Sequence, residues 1–175
     1  LRPAVFLDRD GVLNIDYGYV YKTKDFKWVK GAKTAIKQLK KLGYYIFVVT
    51  NQSGVARGYY KEKEVIALHK YINNQLLQNN AWIDKFYYCP HHPNATIEKY
   101  RVTCKCRKPE SGMIEKAIFE WEIDIKNSFL IGDNRSDSVA AENLGINGYL
   151  FTQGNLLEFV NSVLKNFQEN NSFKI

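Results

Sequence analysis

Short apolar runs recur along the chain, each followed by polar or glycine-containing residues, and helix-periodic stretches lie between them. Ala4 to Leu7, Tyr44 to Thr50, Asp84 to Tyr88, Ser128 to Ile131 and Gly148 to Phe151 read as strands. Ala32, Ala35, Ile36 and Leu39 recur at helical spacing, and Gly43 follows as a stop. Val65, Leu68, Ile72 and Leu76 predict a second helix, and Ile114, Ala117, Ile118 and Trp121 a third. A short helix is predicted from about Ser136 to Leu144, ended by Gly145. Leu156, Phe159, Val160, Val163 and Phe167 form the apolar stripe of a last helix over about 155–167, beyond which the polar tail 168–175 is expected to fray. Strand and helix alternating in this way predict an α/β fold: a Rossmann-like open parallel sheet with helices on both faces. The length of 175 residues suits one domain spanning 1–175.

Asp16 to Trp28 and Cys89 to Pro109 are the long irregular connections, and long ordered loops in such a fold commonly carry function. Hydrophobic residues make up 45% of the chain and aromatics 14%, which excludes a disordered polymer. No apolar stretch has the length of a bilayer span, so no membrane partner is expected. No basic stretch followed by an apolar run opens the sequence, and the expected address is cytoplasmic. The net charge of +7 raises a nucleic-acid reading. The lysines, however, are spread over 22–41 and 61–70 among helix-periodic apolar residues, the pattern of a solvated helix face. A small anionic substrate is expected, and a nucleic-acid partner is not.

Chemistry enters at the strand ends. Asp8-Arg9-Asp10-Gly11 follows the first strand and sets two carboxylates one residue apart where ligands bind in an open α/β sheet. Two acids so close repel unless a cation lies between them, and Mg²⁺ would keep Asp8 ionised as a nucleophile. Asp10 could then protonate a leaving oxygen. Thr50-Asn51-Gln52-Ser53-Gly54 places a hydroxyl and an amide at the second strand's end. Gly132-Asp133-Asn134-Arg135-Ser136-Asp137 brings a third acid, Asp133, to complete an oxygen-rich Mg²⁺ site. Asp137 reads as a cap of the following helix.

All three cysteines fall in Cys89-Pro90-His91-His92 and Cys104-Lys105-Cys106. An odd count without an export signal argues against a disulfide framework. Cys-x-His with Cys-x-Cys supplies the four nitrogen and sulfur ligands of a closed, structural Zn²⁺ site, and spacing leaves His92 as an alternative to His91. His69 reads as a surface or boundary residue. Arg107-Lys108-Pro109 follows Cys106 at once, so a zinc-stapled loop would fix two cations suited to gripping phosphate.

The order Asp8, Asp10, Thr50, Lys108, Asp133 resembles the haloacid dehalogenase-like phosphatases over residues 4 to about 152. More narrowly, Asp8 to Asn14, Gly18 to Val20, Thr50 to Gly58, Tyr88 to Pro93 and Cys104 to Pro109 resemble the D-glycero-D-manno-heptose 1,7-bisphosphate 7-phosphatases. The resemblance implies a fold with no large cap domain and an enzyme that removes the 7-phosphate of a sugar bisphosphate in nucleotide-activated heptose synthesis for surface glycans; monomer is the default for a compact single-domain phosphatase, and the sequence leaves the oligomeric state open. The resemblance also implies attack by Asp8 to form an aspartyl-phosphate and acid then base work by Asp10. Thr50 and Lys108 would stabilise the phosphoryl group. Mg²⁺ would take Asp8, Asp133 and the Asp10 carbonyl, and Zn²⁺ would take Cys89, His91, Cys104 and Cys106. Substrate contacts would come from Arg9, Asp16, Tyr17, Gly18, Tyr19, Asn51, Gln52, Ser53 and Arg107. Asn134 stands among them where the family often has lysine. Histidinol-phosphate phosphatases and DNA 3′-phosphatases share part of these motifs, and a metal-stapled binding module without turnover is the reading from another class.

Overall fold

The computed structural model describes the backbone of residues 1–172 and the side chains of residues 1–167. Its strands are β1 (Ala4–Leu7), β2 (Tyr45–Asn51), β3 (Lys85–Cys89), β4 (Phe129–Gly132) and β5 (Asn147–Leu150). Between and after them run α1 (Ala32–Lys41), α2 (Glu62–Leu77), α3 (Gly112–Glu120), α4 (Arg135–Glu142) and α5 (Leu156–Ser172). All strands are parallel, in the order β3-β2-β1-β4-β5. The expected α/β sheet is therefore present, and among the described residues no large cap domain is built onto it.

Successive side chains of a strand point to opposite faces, and here both faces are covered. Val5, Leu7, Ile46, Val48, Phe129 and Ile131 pack against apolar residues of α1, α2 and α5. Ala4, Phe6, Phe47, Val49 and Leu130 pack against Met113, Ile114 and Ala117 of α3 and Ala140 and Ala141 of α4. This double burial explains why the strands read as unbroken apolar runs. Each buried Val, Leu, Ile, Met or Phe side chain here contributes about 1.5–3 kcal/mol by leaving water, which makes the sheet the rigid part of the molecule.

Several boundaries differ from the expected ones by a residue or more. β2, β3 and β4 each run one residue further, because the parallel ladder continues through the pairs Asn51↔Cys89 and Gly132↔Leu150. The last helix continues to Ser172 instead of stopping near Phe167. The fraying expected of 173–175 lies outside the described residues. His69 is also displaced from the expected surface: it is buried, with its ring stacked on Phe86 at 4.5 Å between centroids.

The order of strands reverses its direction of progress between β1 and β4. In an open parallel sheet this switch point leaves a crevice beyond the carboxyl ends of the strands. Asp8 follows β1 and Asp133 follows β4, so topology alone brings together two acids far apart in sequence.

Candidate active site

Asp8 follows Leu7 while its backbone N–H still donates to the Ile131 carbonyl at 3.0 Å, so the sheet fixes where its carboxylate begins. Its Oδ1 accepts from the Arg9 N–H at 2.8 Å and lies 3.0 Å from Lys108 Nζ. The same ammonium pairs with Asp137 Oδ1 at 2.5 Å and donates to the Val49 carbonyl at 2.7 Å. Lys108 is thus held by three acceptors from three different motifs. Its backbone is fixed as well: Asn51 Oδ1 accepts from Lys108 N at 3.0 Å, and Asn51 Nδ2 donates to the Lys108 carbonyl at 3.1 Å.

The carboxylates of Asp8, Asp133 and Asp137 converge, with one oxygen of each lying within 4.8 Å of the others. Burial pushes the Asp8 carboxyl up, Lys108 pulls it back, and the charges of Asp137, Asp10 and Asp133 raise it again, leaving it at about 7. Burial and Asp137 likewise raise Asp133. Burial acts to lower Lys108, but the acids beside it prevail and raise it above its ordinary value. Such a cluster is short of positive charge, and hard oxygen donors around that deficit suit Mg²⁺. Gly11 makes the close approach possible. Its φ is +85°, and a Cβ there would lie 2.1 Å from Asp133 Oδ2.

Asp10 is held apart from this cluster. Its Oδ1 accepts from Arg9 Nη2 at 2.9 Å, Arg9 Nε at 3.2 Å and Asn14 Nδ2 at 3.0 Å. Its Oδ2 accepts from Gln52 Nε2 at 2.9 Å and from Arg9 Nη2 at 3.0 Å. Every one of these contacts comes from a donor, which fixes the carboxylate's orientation beside the nucleophile.

A cleft of about 290 Å³ opens over these groups. Of the expected residues, Asp8, Asp10, Asp16, Gly18, Tyr19, Asn51, Gln52, Ser53, Lys108, Asp133 and Asn134 line it. Asp16 Oδ1 accepts from Gly18 N at 2.8 Å and so shapes the loop that carries Tyr19 to the cleft. Asn134 caps α4, accepting from Ser136 N at 3.3 Å, while Asp137 Oδ2 accepts from Asn134 N at 3.0 Å.

Four of the expected residues lie outside the cleft's lining. Arg9 is fully buried, with its guanidinium on Asp10 and on the Val20 carbonyl at 2.5 Å, so it reaches the acid from behind. Thr50 is fully buried beneath the cleft, where its Oγ1 lies 2.9 Å from Gln52 Nε2. Tyr17 is exposed and packs its ring under Lys27 Nζ at 5.5 Å, away from the lining. Arg107 donates to the His91 carbonyl at 3.3 Å and borders a separate surface depression with Pro93 and Val102.

The cysteine and histidine loop forms a second cluster. Ligand atoms of Cys89, His91, Cys104 and Cys106 all lie within 4.8 Å of one another. The sulfur separations are 3.5 Å for Cys89 to Cys104, 3.1 Å for Cys89 to Cys106 and 3.2 Å for Cys104 to Cys106. His91 Nδ1 is 3.3 Å from Cys106 Sγ and 3.7 Å from Cys89 Sγ. His92 turns elsewhere, its Nδ1 accepting from Asn94 N at 3.1 Å. The alternative left open by spacing thus falls to His91.

The family described as polynucleotide kinase 3 phosphatase matches residues 8–169. A D-glycero-beta-D-manno-heptose-1,7-bisphosphate 7-phosphatase of Rhodopseudomonas palustris is 46% identical over 167 residues, 95% of this chain and 93% of that protein. The chain belongs to the heptose bisphosphate 7-phosphatases. The Escherichia coli K12 enzyme of this family is 42% identical over 139 residues, covering 79% of this chain and 73% of its own. A crystal structure of D,D-heptose 1.7-bisphosphate phosphatase from B. bronchiseptica, complexed with magnesium and phosphate, has a TM-score of 0.81 at 27% identity. It covers 94% of this chain and 99% of that chain. Membership in this haloacid dehalogenase-like family accounts for the acids at the switch point and leaves three cleft residues outside the sequence reading of the site: Tyr60, Ser136 and Asp137. Asp137 carried a signal, four positions after Asp133, but its capping role concealed its pairing with Lys108.

Proposed function

We propose that this chain hydrolyses the 7-phosphate of D-glycero-β-D-manno-heptose 1,7-bisphosphate through an aspartyl-phosphate on Asp8. The observation that carries the proposal is the pairing of Asp8 with Lys108 at the sheet's switch point, with Asp10 oriented one residue away. The β anomer is taken from the names of relatives 42–48% identical to the chain, and those names also favour the heptose over histidinol phosphate or DNA.

An Asp8 oxygen attacks phosphorus and the bond from phosphorus to the C7 oxygen breaks, while Asp10 gives its proton to the departing alkoxide. Water then attacks the aspartyl-phosphate, Asp10 takes the water's proton, and cleavage from Asp8 releases phosphate. Lys108 spreads the phosphoryl charge. Asn51 holds Lys108 in place, and Arg9 and Asn14 hold Asp10. Mg²⁺ on the Asp8 and Asp133 carboxylates and the Asp10 carbonyl would supply the positive charge the acid cluster lacks.

The Cys89, His91, Cys104 and Cys106 set fits Zn²⁺ by its three sulfurs and one nitrogen. A tetrahedral ion with bonds of about 2.3 Å to sulfur would separate its ligands by about 3.8 Å, and the observed sulfur edges of 3.5, 3.1 and 3.2 Å are tighter than that. With four protein ligands the ion is structural. Clustered thiols that are not paired as disulfides fit a reducing, cytoplasmic compartment.

Phosphorus NMR of the products tests the proposal. Mg²⁺-dependent loss of the 7-phosphate from the β anomer, with the 1-phosphate retained, is the expected result. Loss of the 1-phosphate, or a preference for the α anomer, histidinol phosphate or 3′-phosphorylated DNA, would overturn the substrate assignment.

A further inference from the structure

We propose that Tyr60 is a positioning residue for Asp10, acting through the side-chain amide of Gln52. The proposal rests on the acid and base role given to Asp10 above. Tyr60 lies outside every strand and helix, on the loop between β2 and α2, and is only 6% exposed. Its hydroxyl is 2.7 Å from Gln52 Oε1, and Gln52 Nε2 is 2.9 Å from both Asp10 Oδ2 and Thr50 Oγ1.

The direction of this chain of bonds follows from the chemistry of its ends. Asp10 Oδ1 already accepts from Arg9 and Asn14, and Gln52 Nε2 donates to its Oδ2, so the amide group facing Asp10 is the NH₂. The amide oxygen then faces Tyr60, which must donate. Burial raises the Tyr60 phenol and keeps it protonated, consistent with that role. Gln52 therefore spends one N–H on Asp10, the other on Thr50, and its oxygen on Tyr60. The contacts to Thr50 and Tyr60 are buried and that to Asp10 is part-buried, and no rotation of the amide preserves all three.

Two neighbours seat the phenol. A Cβ on Gly54 would lie 2.2 Å from Tyr60 Cε1, so only glycine lets the ring in. Tyr21 stacks on the ring at 4.8 Å with planes 17° apart. The hydroxyl is thus delivered by packing and not by the polar network itself. Removing the oxygen would leave Gln52 Oε1 buried without a donor and free the amide to turn away from Asp10. On the other side of Asp10, Arg9 and Asn14 would still hold Oδ1, so the carboxylate would stay in place with its Oδ2 less well fixed.

Tyr60→Phe deletes that oxygen and keeps the ring against Gly54 and Tyr21. Steady-state kinetics are compared for wild type, Tyr60→Phe, Gln52→Met and the double variant. The substrates are p-nitrophenyl phosphate and an alkyl phosphomonoester, the heptose bisphosphate first and glycerol phosphate if the heptose is refused. The alkyl ester needs Asp10's proton for its poor leaving group and should lose about tenfold in kcat with KM little changed. The aryl ester, with a good leaving group, should lose less in kcat/KM, and the double variant should be no worse than Gln52→Met alone. Equal losses on both esters, kcat within about twofold of wild type, or additive effects in the double variant would overturn the proposal. If Tyr60→Phe fails to fold, Gln52→Glu carries the test, because its carboxylate cannot donate to Asp10; retained kcat there would equally overturn it. Wild-type turnover of p-nitrophenyl phosphate with refusal of the heptose would sink the substrate assignment and leave this inference to be judged on the other esters.

Discussion

The phosphoryl cleft and the cysteine and histidine loop are built in opposite ways. The cleft gathers Asp8, Gln52, Lys108 and Asp133 from widely separated parts of the chain, and the parallel ladder holds three of their starting points in register. The loop gathers four ligands from one stretch, 89–106, most of it outside regular structure. The apolar sheet beneath the first fixes where its residues start, whereas the second touches the core mainly through its three cysteines. They meet at Lys108, two positions beyond Cys106, whose ammonium belongs to the cleft and whose backbone leaves the loop. A rigid sheet can place acids at strand ends, but the cation opposite them comes from a loop, held to the sheet through Asn51.

Substitutions on the two sides should therefore fail differently. Asp8→Asn should lower kcat by at least about 10³-fold with the circular dichroism spectrum retained, since it removes the nucleophile and leaves the sheet untouched; residual turnover near wild type would refute the covalent route. Lys108→Met, at the junction, should cost about 10²–10³-fold in kcat and also lower the melting temperature, because Asp8 and Asp137 lose their shared counter-charge. A kinetic loss without a thermal one would show that the acids do not depend on it for stability.

Cys104→Ser should act through the loop. Zinc content measured by elemental analysis should fall, with affinity down by at least about 100-fold, and KM and the melting temperature should both worsen. His92→Ala should leave zinc content unchanged, and the reverse outcome would move the ligand assignment from His91 to His92. The smallest effect concerns pH. Asp8, ordinarily near 3.8, stands at about 7 in the metal-free fold. An acid raised on folding binds more protons folded than unfolded, so it weakens the metal-free fold as pH rises through that window. The rise in melting temperature given by Mg²⁺ should accordingly grow from pH 5 to about pH 7 and then level off. A shift independent of pH would place the ion away from Asp8.

Much of this was legible in the sequence, for physical reasons. Runs such as Phe47-Val48-Val49 are apolar on successive positions because both faces of the sheet are covered, so strands and their order of chemistry could be read directly. The cysteine and histidine cluster was legible because its residue types are rare and close together. What spacing could not show was direction. Arg9 and Arg107 sit beside motif residues, yet one guanidinium turns into the core and the other onto the His91 carbonyl. Tyr60 carried no signal, since its role depends on the seat that Gly54 leaves for its ring. Asp137 shows the converse: a residue correctly read as a cap also neutralises a buried lysine.

The covalent step is the most exposed part of the account. Borohydride trapping during turnover, followed by peptide mass spectrometry, would convert an aspartyl-phosphate into a reduced residue at its own position. The account predicts Mg²⁺- and substrate-dependent reduction at Asp8, absent from Asp8→Asn. Steady turnover with no trapped residue, or with reduction at another acid such as Asp133, would contradict it.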